Sequence, residues 1–229
     1  MNPAADPVFR RELRELQRRH PLHARLHPFW RDCFRGRQEA AGIRRWGEDI
    51  HPVVRDFAML YLQVAARCRD ERPLTFLAET IYEETGGGVA AESPPTLFRR
   101  FLRAVGAADD ELPGLPATAA GREIHALAWR TVREGSFVEG LALVGLGLER
   151  PLPALFAMLE RAFRRRLGLA EADVRFFAVH TVADVKHSQV ASRLVGELAV
   201  TPGDQARVRT LLHRLWDLQL AQLDELRAR

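Results

Sequence analysis

The sequence has few cysteines and no pattern that builds a β-sheet. Its 229 residues include two cysteines, Cys33 and Cys68, which lie in unrelated segments and form no C-x-x-C pair. These two residues provide neither a disulfide framework nor a cysteine metal site, and such usage is typical of a reducing cytoplasm. No stretch shows sustained apolar–polar alternation rich in β-branched residues, so strands are not expected.

Long apolar runs are also missing. No run reaches about 18 residues, the length at which a membrane span is predicted. The segment MNPAADPVFRRELRELQRRH at the N-terminus lacks the apolar centre of a secretory signal. We therefore expect a cytoplasmic protein with no membrane partner.

A strong excess of one charge is absent as well. The chain has 34 basic and 30 acidic residues, a formal net charge of +4. Acidic residues interleave with the arginines in RRELRELQRR, and no basic platform with interleaved aromatic residues is present. This pattern indicates a solvated arginine-rich surface and predicts no nucleic-acid partner.

Helical periodicity, interrupted by proline and glycine, fills most of the chain. Residues 1–26 predict an N-terminal amphipathic helix, and residues 203–229 predict a C-terminal helix packed on the bundle. No repeat and no low-complexity linker divides the chain. The sequence therefore predicts a single all-α domain over residues 1–229, a bundle of about seven or eight helices.

One helical segment carries a metal-ligand spacing, H-x3-D-x2-H, formed by His180, Asp184 and His187. Steps of four and three residues place these side chains on one face of a helix, where they can converge on an iron, manganese or zinc ion. The alternative is a surface stripe that carries two histidines by chance. Phe176, Phe177 and other apolar neighbours favour an inward-facing stripe, because buried ionisable groups must be paired or metal-bound.

Two glutamates stand out as candidate partners of this stripe. Glu84 lies near the end of a predicted helix that stops at three glycines, although Glu79 and Glu83 compete with it. Glu149 closes the apolar run LALVGLGLE, where a carboxylate is either at a solvated helix end or buried for a purpose.

Four sequence features resemble those of the haem-oxygenase-like di-iron oxidases and oxygenases, in the same order. They are HPFW, EETGGG followed by LFRRFLRAVG, GLERPLP, and FF-x-x-H-x3-D-x2-H, which together span roughly residues 20–200. The resemblance implies the single-domain haem-oxygenase-like fold shared with TenA and pyrroloquinoline quinone synthase.

The resemblance also implies a catalytic metal site. Its ligands would be Glu84, Glu149, His180, Asp184 and His187. The family's remaining histidine falls near Pro94, which cannot bind a metal, and Glu92 is the candidate oxygen ligand in its place. Three consequences remain open: two metals with altered coordination, one metal, or loss of redox chemistry.

The implied function is a non-haem iron enzyme that activates O2 to hydroxylate, desaturate, N-oxygenate or cleave a small molecule in secondary or cofactor metabolism. Two irons are expected, with one iron or manganese as alternatives, and an external electron donor and a homodimer are the expected partners. We predict that Tyr82, Phe177 and Thr181 line the substrate pocket. The competing functions are a metal-free enzyme like TenA or the quinone synthase, and a non-catalytic interaction protein on the same fold.

Overall fold

The computed structural model describes residues 6–108 and 112–229, and only the backbone of residues 17–26. Its helices are α1 (Pro7–Leu26), α2 (Pro28–Phe34), α3 (Ala40–Ala65), α4 (Glu71–Glu84), α5 (Pro94–Ala104), α6 (Ala119–Glu134), α7 (Phe137–Ala142), α8 (Leu152–Leu167), α9 (Arg175–Leu198) and α10 (Pro202–Arg227). A π-helical segment, Leu143–Leu148, follows α7, and short 3-10 turns span Ala90–Glu92 and Glu171–Val174.

The prediction of an all-α single domain is confirmed, since no strand occurs in the described residues. Helices α2 and α7 have only seven and six residues, so the longer helices of the described chain match the predicted size of the bundle. Residues 1–5 of the predicted N-terminal helix lie outside the described part.

The helix starts follow directly from the sequence. The Asp70 side chain accepts the Arg72 N–H at the start of α4, and the Thr118 hydroxyl accepts the Gly121 N–H at the start of α6. Thr201 and Asp204 form a reciprocal capping box at the start of α10. Such caps satisfy amide groups that have no partner within the helix.

The core has two apolar clusters, and α9 runs through both. Near its start, Phe176 and Phe177 belong to an aromatic cluster with α2, α3, α5 and α8. Near its end, Ala191 and Leu194 belong to a mainly aliphatic cluster with α3, α6, α10 and the π-helical segment. The H-x3-D-x2-H residues therefore lie on α9 between the two clusters, where water is excluded.

The π-helical segment approaches its neighbours closely because it contains glycine. A Cβ atom at Gly145 would lie 2.3 Å from the Ala191 Cβ, and one at Gly147 would lie 2.4 Å from the Leu215 Cδ2. A side chain at Gly145 would collide with Ala191, and one at Gly147 would require the Leu215 side chain to move. The segment ends at Glu149, so its close packing against α9 and α10 fixes where that carboxylate enters the core.

One stretch of the described residues, Phe137–Leu167, is long and apolar enough to cross a membrane by length and composition alone. Within this stretch, 67% of the 18-residue segment that is apolar enough to span a membrane is buried inside the protein. Burial of this extent is typical of the core of a soluble protein, and the stretch is interrupted by the turn at Glu149–Pro151.

Candidate metal centre

The three residues of the H-x3-D-x2-H stripe face the protein interior. His180 is 7% exposed, and Asp184 and His187 are each 1% exposed. The side chains at steps of four and three residues share one face of α9, as the helical period requires. Ionisable groups this deep must find a partner.

Glu84, Glu149 and His187 meet in a compact cluster. One potential ligand atom from each residue lies within 4.8 Å of the other two, and all three residues are buried. The His187 Nδ1 atom is 3.2 Å from Glu149 Oε1 and 3.9 Å from Glu84 Oε1. The last residue of α4, the end of the π-helical segment and the middle of α9 thus present donors to one point.

Two further residues orient this cluster: Tyr61, which the sequence did not single out, and Glu83, which it indicated only as a competitor of Glu84. The Tyr61 hydroxyl, fully buried on α3, donates to Glu149 Oε1 at 2.9 Å. The Glu83 carboxylate accepts a hydrogen bond from His187 Nε2 at 2.6 Å. A histidine that binds a metal through one nitrogen commonly donates its other N–H to a carboxylate. Glu83 therefore aims the Nδ1 atom of His187 at Glu84 and Glu149.

His180 is held as a neutral imidazole with one nitrogen free. Its Nδ1–H donates to the Phe176 carbonyl oxygen at 2.7 Å, so the Nε2 atom carries the lone pair. Burial lowers the pKa of His180 to about 4, partly opposed by that hydrogen bond. The neutral imidazole is the form that binds metal ions.

Three buried carboxylate oxygens have no hydrogen-bond partner among the described residues: Oε2 of Glu149 and both oxygens of Asp184. A buried polar group without a partner costs about 1–3 kcal/mol, and a charged one costs more. A bound cation would satisfy these oxygens. Carboxylate oxygens together with imidazole nitrogens are a donor set that suits iron or manganese, so the residues present fit the metal that the sequence resemblance implies.

The protonation of the centre reflects its shortage of positive charge. Burial and the nearby Glu149 charge raise the pKa of Glu84 to about 8, and burial with the Glu149 and Glu84 charges raises that of Asp184 well above its usual value. Burial acts to lower the pKa of His187, but the Glu149 and Glu83 carboxylates raise it to about 9. Near neutral pH the centre therefore holds protons that a divalent ion would displace.

An apolar cavity of about 160 Å³ opens beside these ligands. Glu84, Glu149, His180 and Asp184 form part of its wall. Most of the remaining wall is apolar, with Trp30, Trp46, Phe57, Phe156 and Phe176 as its aromatic members, and none of the described lysines and arginines lines it. Gln219 and Gln222 of α10 add two polar side chains.

The structure corrects the predicted pocket residues. None of Tyr82, Phe177 and Thr181 lines the cavity. Tyr82 is 58% exposed and its hydroxyl donates to the Gly87 carbonyl oxygen. Phe177 is fully buried in the aromatic cluster, and the Thr181 hydroxyl donates to the Phe177 carbonyl oxygen within α9.

Glu92 is also misplaced by the prediction that it replaces the missing ligand. Its carboxylate pairs with the Arg175 guanidinium at 2.6 Å on the protein surface, away from the cavity wall. Pro94, in contrast, is buried and lines the cavity together with four of the predicted ligands. A histidine in place of Pro94 would therefore adjoin the centre.

The stability of the metal-free protein should fall as pH rises from 6.5 to 8. Glu84 keeps its proton in the folded chain up to a pKa of about 8 but loses it near 4.5 when unfolded, and His187 shifts from 6.5 to about 9. Both groups bind more protons in the folded state than in the unfolded state over this interval. Each therefore lowers the unfolding free energy by about 2 kcal/mol between pH 6.5 and pH 8. His180 acts oppositely only between about 4 and 6.5. Urea unfolding at several pH values, in the presence of a chelator, measures how the unfolding free energy changes with pH.

Glu84→Gln is the matched variant for this measurement. The glutamine has no proton to lose, so the fall between pH 6.5 and 8 should shrink to the part that His187 and Asp184 contribute. An identical slope in the wild type and the variant would exclude Glu84 as a group that titrates in this interval.

Comparisons with known proteins agree with this fold and with iron as the metal. A family model described as "iron-containing redox enzyme", of the haem oxygenase group, matches residues 44–220 and so includes all five predicted ligands. A protein from Chlamydia pneumoniae named 4-aminobenzoate synthase is 25% identical over 200 residues, which cover 82% of this chain and 86% of that protein. A protein of the same name from Nitrosomonas europaea is 29% identical over 149 residues, 65% of this chain and 58% of the relative.

Solved structures show the same fold at low sequence identity. A TenA homologue from Pseudomonas syringae pv. tomato has a TM-score of 0.86 at 14% identity, and the match covers 100% of this chain and 96% of that one. A domain with a haem-oxygenase-like fold from Shewanella denitrificans has a TM-score of 0.74 at 16% identity, covering 94% and 89%. The predicted haem-oxygenase-like fold is thus confirmed.

Proposed function

The chain belongs to the family of iron-containing redox enzymes with a haem-oxygenase-like fold, and on this premise we propose that it is a non-haem iron oxidase acting on a small apolar molecule. The observation that supports the proposal most is the set of buried carboxylate oxygens on Glu149 and Asp184 that have no partner among the described residues. Such groups are costly unless a cation binds them.

We propose that one iron is held tightly by Glu84, Glu149 and His187. Their ligand atoms already lie within 4.8 Å of one another. His180 and Asp184, which share the cavity wall with Glu84 and Glu149, provide a second, weaker position that lacks the ligand replaced by Pro94. When bound, iron supplies the reductive activation of O2.

The residues of the chain have separate tasks in this proposal. Glu83 accepts a hydrogen bond from the Nε2–H group of His187, so the Nδ1 lone pair would be directed at the metal. Tyr61 donates to one oxygen of Glu149 and leaves the other oxygen available to a ligand. The aromatic wall of the cavity excludes water and holds the substrate against the centre.

The cavity limits the class of substrate. An apolar cavity of about 150 Å³ accommodates benzene, so the volume of about 160 Å³ matches one aromatic ring or an aliphatic group of similar size. Among the side chains that the structure describes, no lysine or arginine lines the wall. A carboxylate buried here would find no guanidinium or ammonium partner among the described residues, which favours an uncharged substrate.

Iron content tests the proposal and its stoichiometry. After anaerobic loading with Fe(II) and removal of loose metal, we expect about one iron per chain, and Pro94→His should raise the content towards two because it adds an imidazole at the cavity wall. Pro95 keeps a proline in the first turn of α5, so the variant should fold. Absence of bound iron, with no thermal stabilisation by Fe(II), would exclude the oxidase and favour a metal-free enzyme.

The names of the two curated relatives suggest a second, narrower candidate, the formation of 4-aminobenzoate. A single aromatic ring fits the cavity volume, whereas no arginine or lysine among the described side chains is placed to bind the carboxylate of such a product. Mass spectrometric detection of 4-aminobenzoate after incubation of the iron-loaded protein with O2 and a reductant would support this candidate. Turnover of uncharged single-ring compounds without it would favour the broader proposal. We also propose that the protein uses an external electron donor and forms a homodimer.

A further inference from the structure

A second pocket, lined by arginines, lies away from the apolar cavity. It occupies about 300 Å³ between α1, α9 and the turn before α8, and its lining residues are Arg10, Arg14, Arg150, Ser188, Gln189, Ser192 and Arg193. None of these residues lines the apolar cavity. A volume of about 300 Å³ is at the lower end of the range for small-molecule sites.

The positive charge of this pocket is largely unbalanced. Among the described residues, Arg14, Arg150 and Arg193 form no ion pair. Arg10 pairs with Glu197 at 3.5 Å, but that carboxylate also binds Arg72 at 2.5 Å. The nearby part of α1 whose side chains are not described, residues 17–26, contains no aspartate or glutamate in its sequence.

Guanidinium groups that share a pocket repel one another unless an anion lies between them. Each one presents several N–H donors in a planar fork that matches the oxygens of phosphate. The Gln189 amide adds a neutral donor to the same wall, whereas the Ser188 hydroxyl already donates to the Val185 carbonyl oxygen. This combination, with no aspartate or glutamate among the described lining residues, is the chemistry of an oxyanion site.

We propose that the arginine pocket binds a phosphate group, either free phosphate or the phosphate of a small phosphomonoester. Two negative charges match the several guanidinium groups better than a single carboxylate does. The site adjoins the metal centre along the chain, since Arg150 follows Glu149 and Ser188 follows His187. It accepts the kind of charged group that the apolar cavity cannot, and the proposal stands independently of the reaction at the metal.

Phosphate binding by the intact protein tests this site. We expect inorganic phosphate to raise the melting temperature in a saturable way, and isothermal titration to give one site per chain. Arg150→Gln and Arg193→Gln should each weaken binding about tenfold to a hundredfold, since each removes a charge-assisted hydrogen bond. The matched control is Arg165→Gln, because Arg165 is an exposed arginine of α8 that forms no ion pair among the described residues and lies outside the pocket.

The outcomes separate the proposal from general ionic effects. Stronger binding of phenyl phosphate than of inorganic phosphate identifies an ester as the ligand, and equal binding identifies free phosphate. A stabilisation that sodium chloride reproduces at equal ionic strength, or that persists unchanged in Arg193→Gln, overturns the proposal. Arg193 lies on the exposed side of α9, so this variant remains informative if Arg150→Gln disturbs the adjacent Glu149.

Discussion

His187→Ala should abolish tight iron binding, with a loss of affinity of at least about a hundredfold. The expected size follows because loss of an outer partner of a ligating histidine already costs about 10–100-fold, and this variant removes a proposed ligand itself. The Nδ1 atom of His187 is the only nitrogen of the compact cluster; the other two groups are the carboxylates of Glu84 and Glu149. Elemental analysis after Fe(II) loading and gel filtration measures the iron that remains.

His213→Ala is the control for a general effect of removing histidine, because His213 is exposed on α10. It should retain the iron content of the wild type. His187→Ala also leaves the buried Glu149 without its positive partner, which is destabilising. His187→Gln keeps an amide that can donate to a carboxylate, so it separates loss of the metal from loss of the fold. A folded His187→Gln protein with full iron content would show that His187 is not a ligand.

Much of this centre was predictable because helical spacing is a local property. The steps from His180 to Asp184 and His187 place three side chains on one face whatever the rest of the chain does. Glu149 was recognisable because it is a single carboxylate at the end of an apolar run. In both cases an ionisable residue within an apolar segment indicated a buried group that needs a partner.

The errors arose where the direction of a side chain decides its environment. Phe176 lines the cavity and Phe177 does not, because Phe176 lies one turn before His180 on the same stripe of α9, while its neighbour points about 100° away. Thr181 lies one turn after Phe177 on the same face of α9, so its side chain also points away from the cavity. Tyr82 is two residues before Glu84, so when Glu84 points inwards Tyr82 points outwards.

Tyr61 and Glu83 depend on tertiary packing, and no local pattern reveals them. Tyr61 reaches Glu149 across 88 positions of sequence, and Glu83 reaches His187 across 104. The tyrosine contact depends on how α3 packs against the glycine-containing π-helical segment. The spacing of residues along one helix contains no information about that approach.

Asp184→Asn should make the metal-free protein more stable while weakening its response to metal. Both Asp184 oxygens are buried without a partner among the described residues, and burial with the nearby glutamate charges raises the pKa of this carboxyl. The unfolded chain ionises the aspartate freely at pH 8, so the folded chain is disfavoured until a cation binds. We expect a gain of about 1–3 kcal/mol in unfolding free energy from the neutral amide. We also expect Fe(II) to stabilise the variant less than the wild type, because the weaker position loses one of its two proposed ligands.

Asp49→Asn is the matched control, because Asp49 has the same 1% exposure and an opposite environment. Its carboxylate accepts hydrogen bonds from the Thr118 N–H at 2.8 Å, the Thr118 hydroxyl at 2.6 Å and the Gln222 amide at 2.7 Å. An amide there would turn a donor towards donors, and the variant should lose about 1–3 kcal/mol. If Asp184 binds a cation and Asp49 stabilises the fold, the two variants should change the unfolding free energy in opposite directions. Chemical unfolding in the presence of a chelator measures both changes. Destabilisation by both substitutions would show that Asp184 has a structural partner, and the case for a cation at that position would fail.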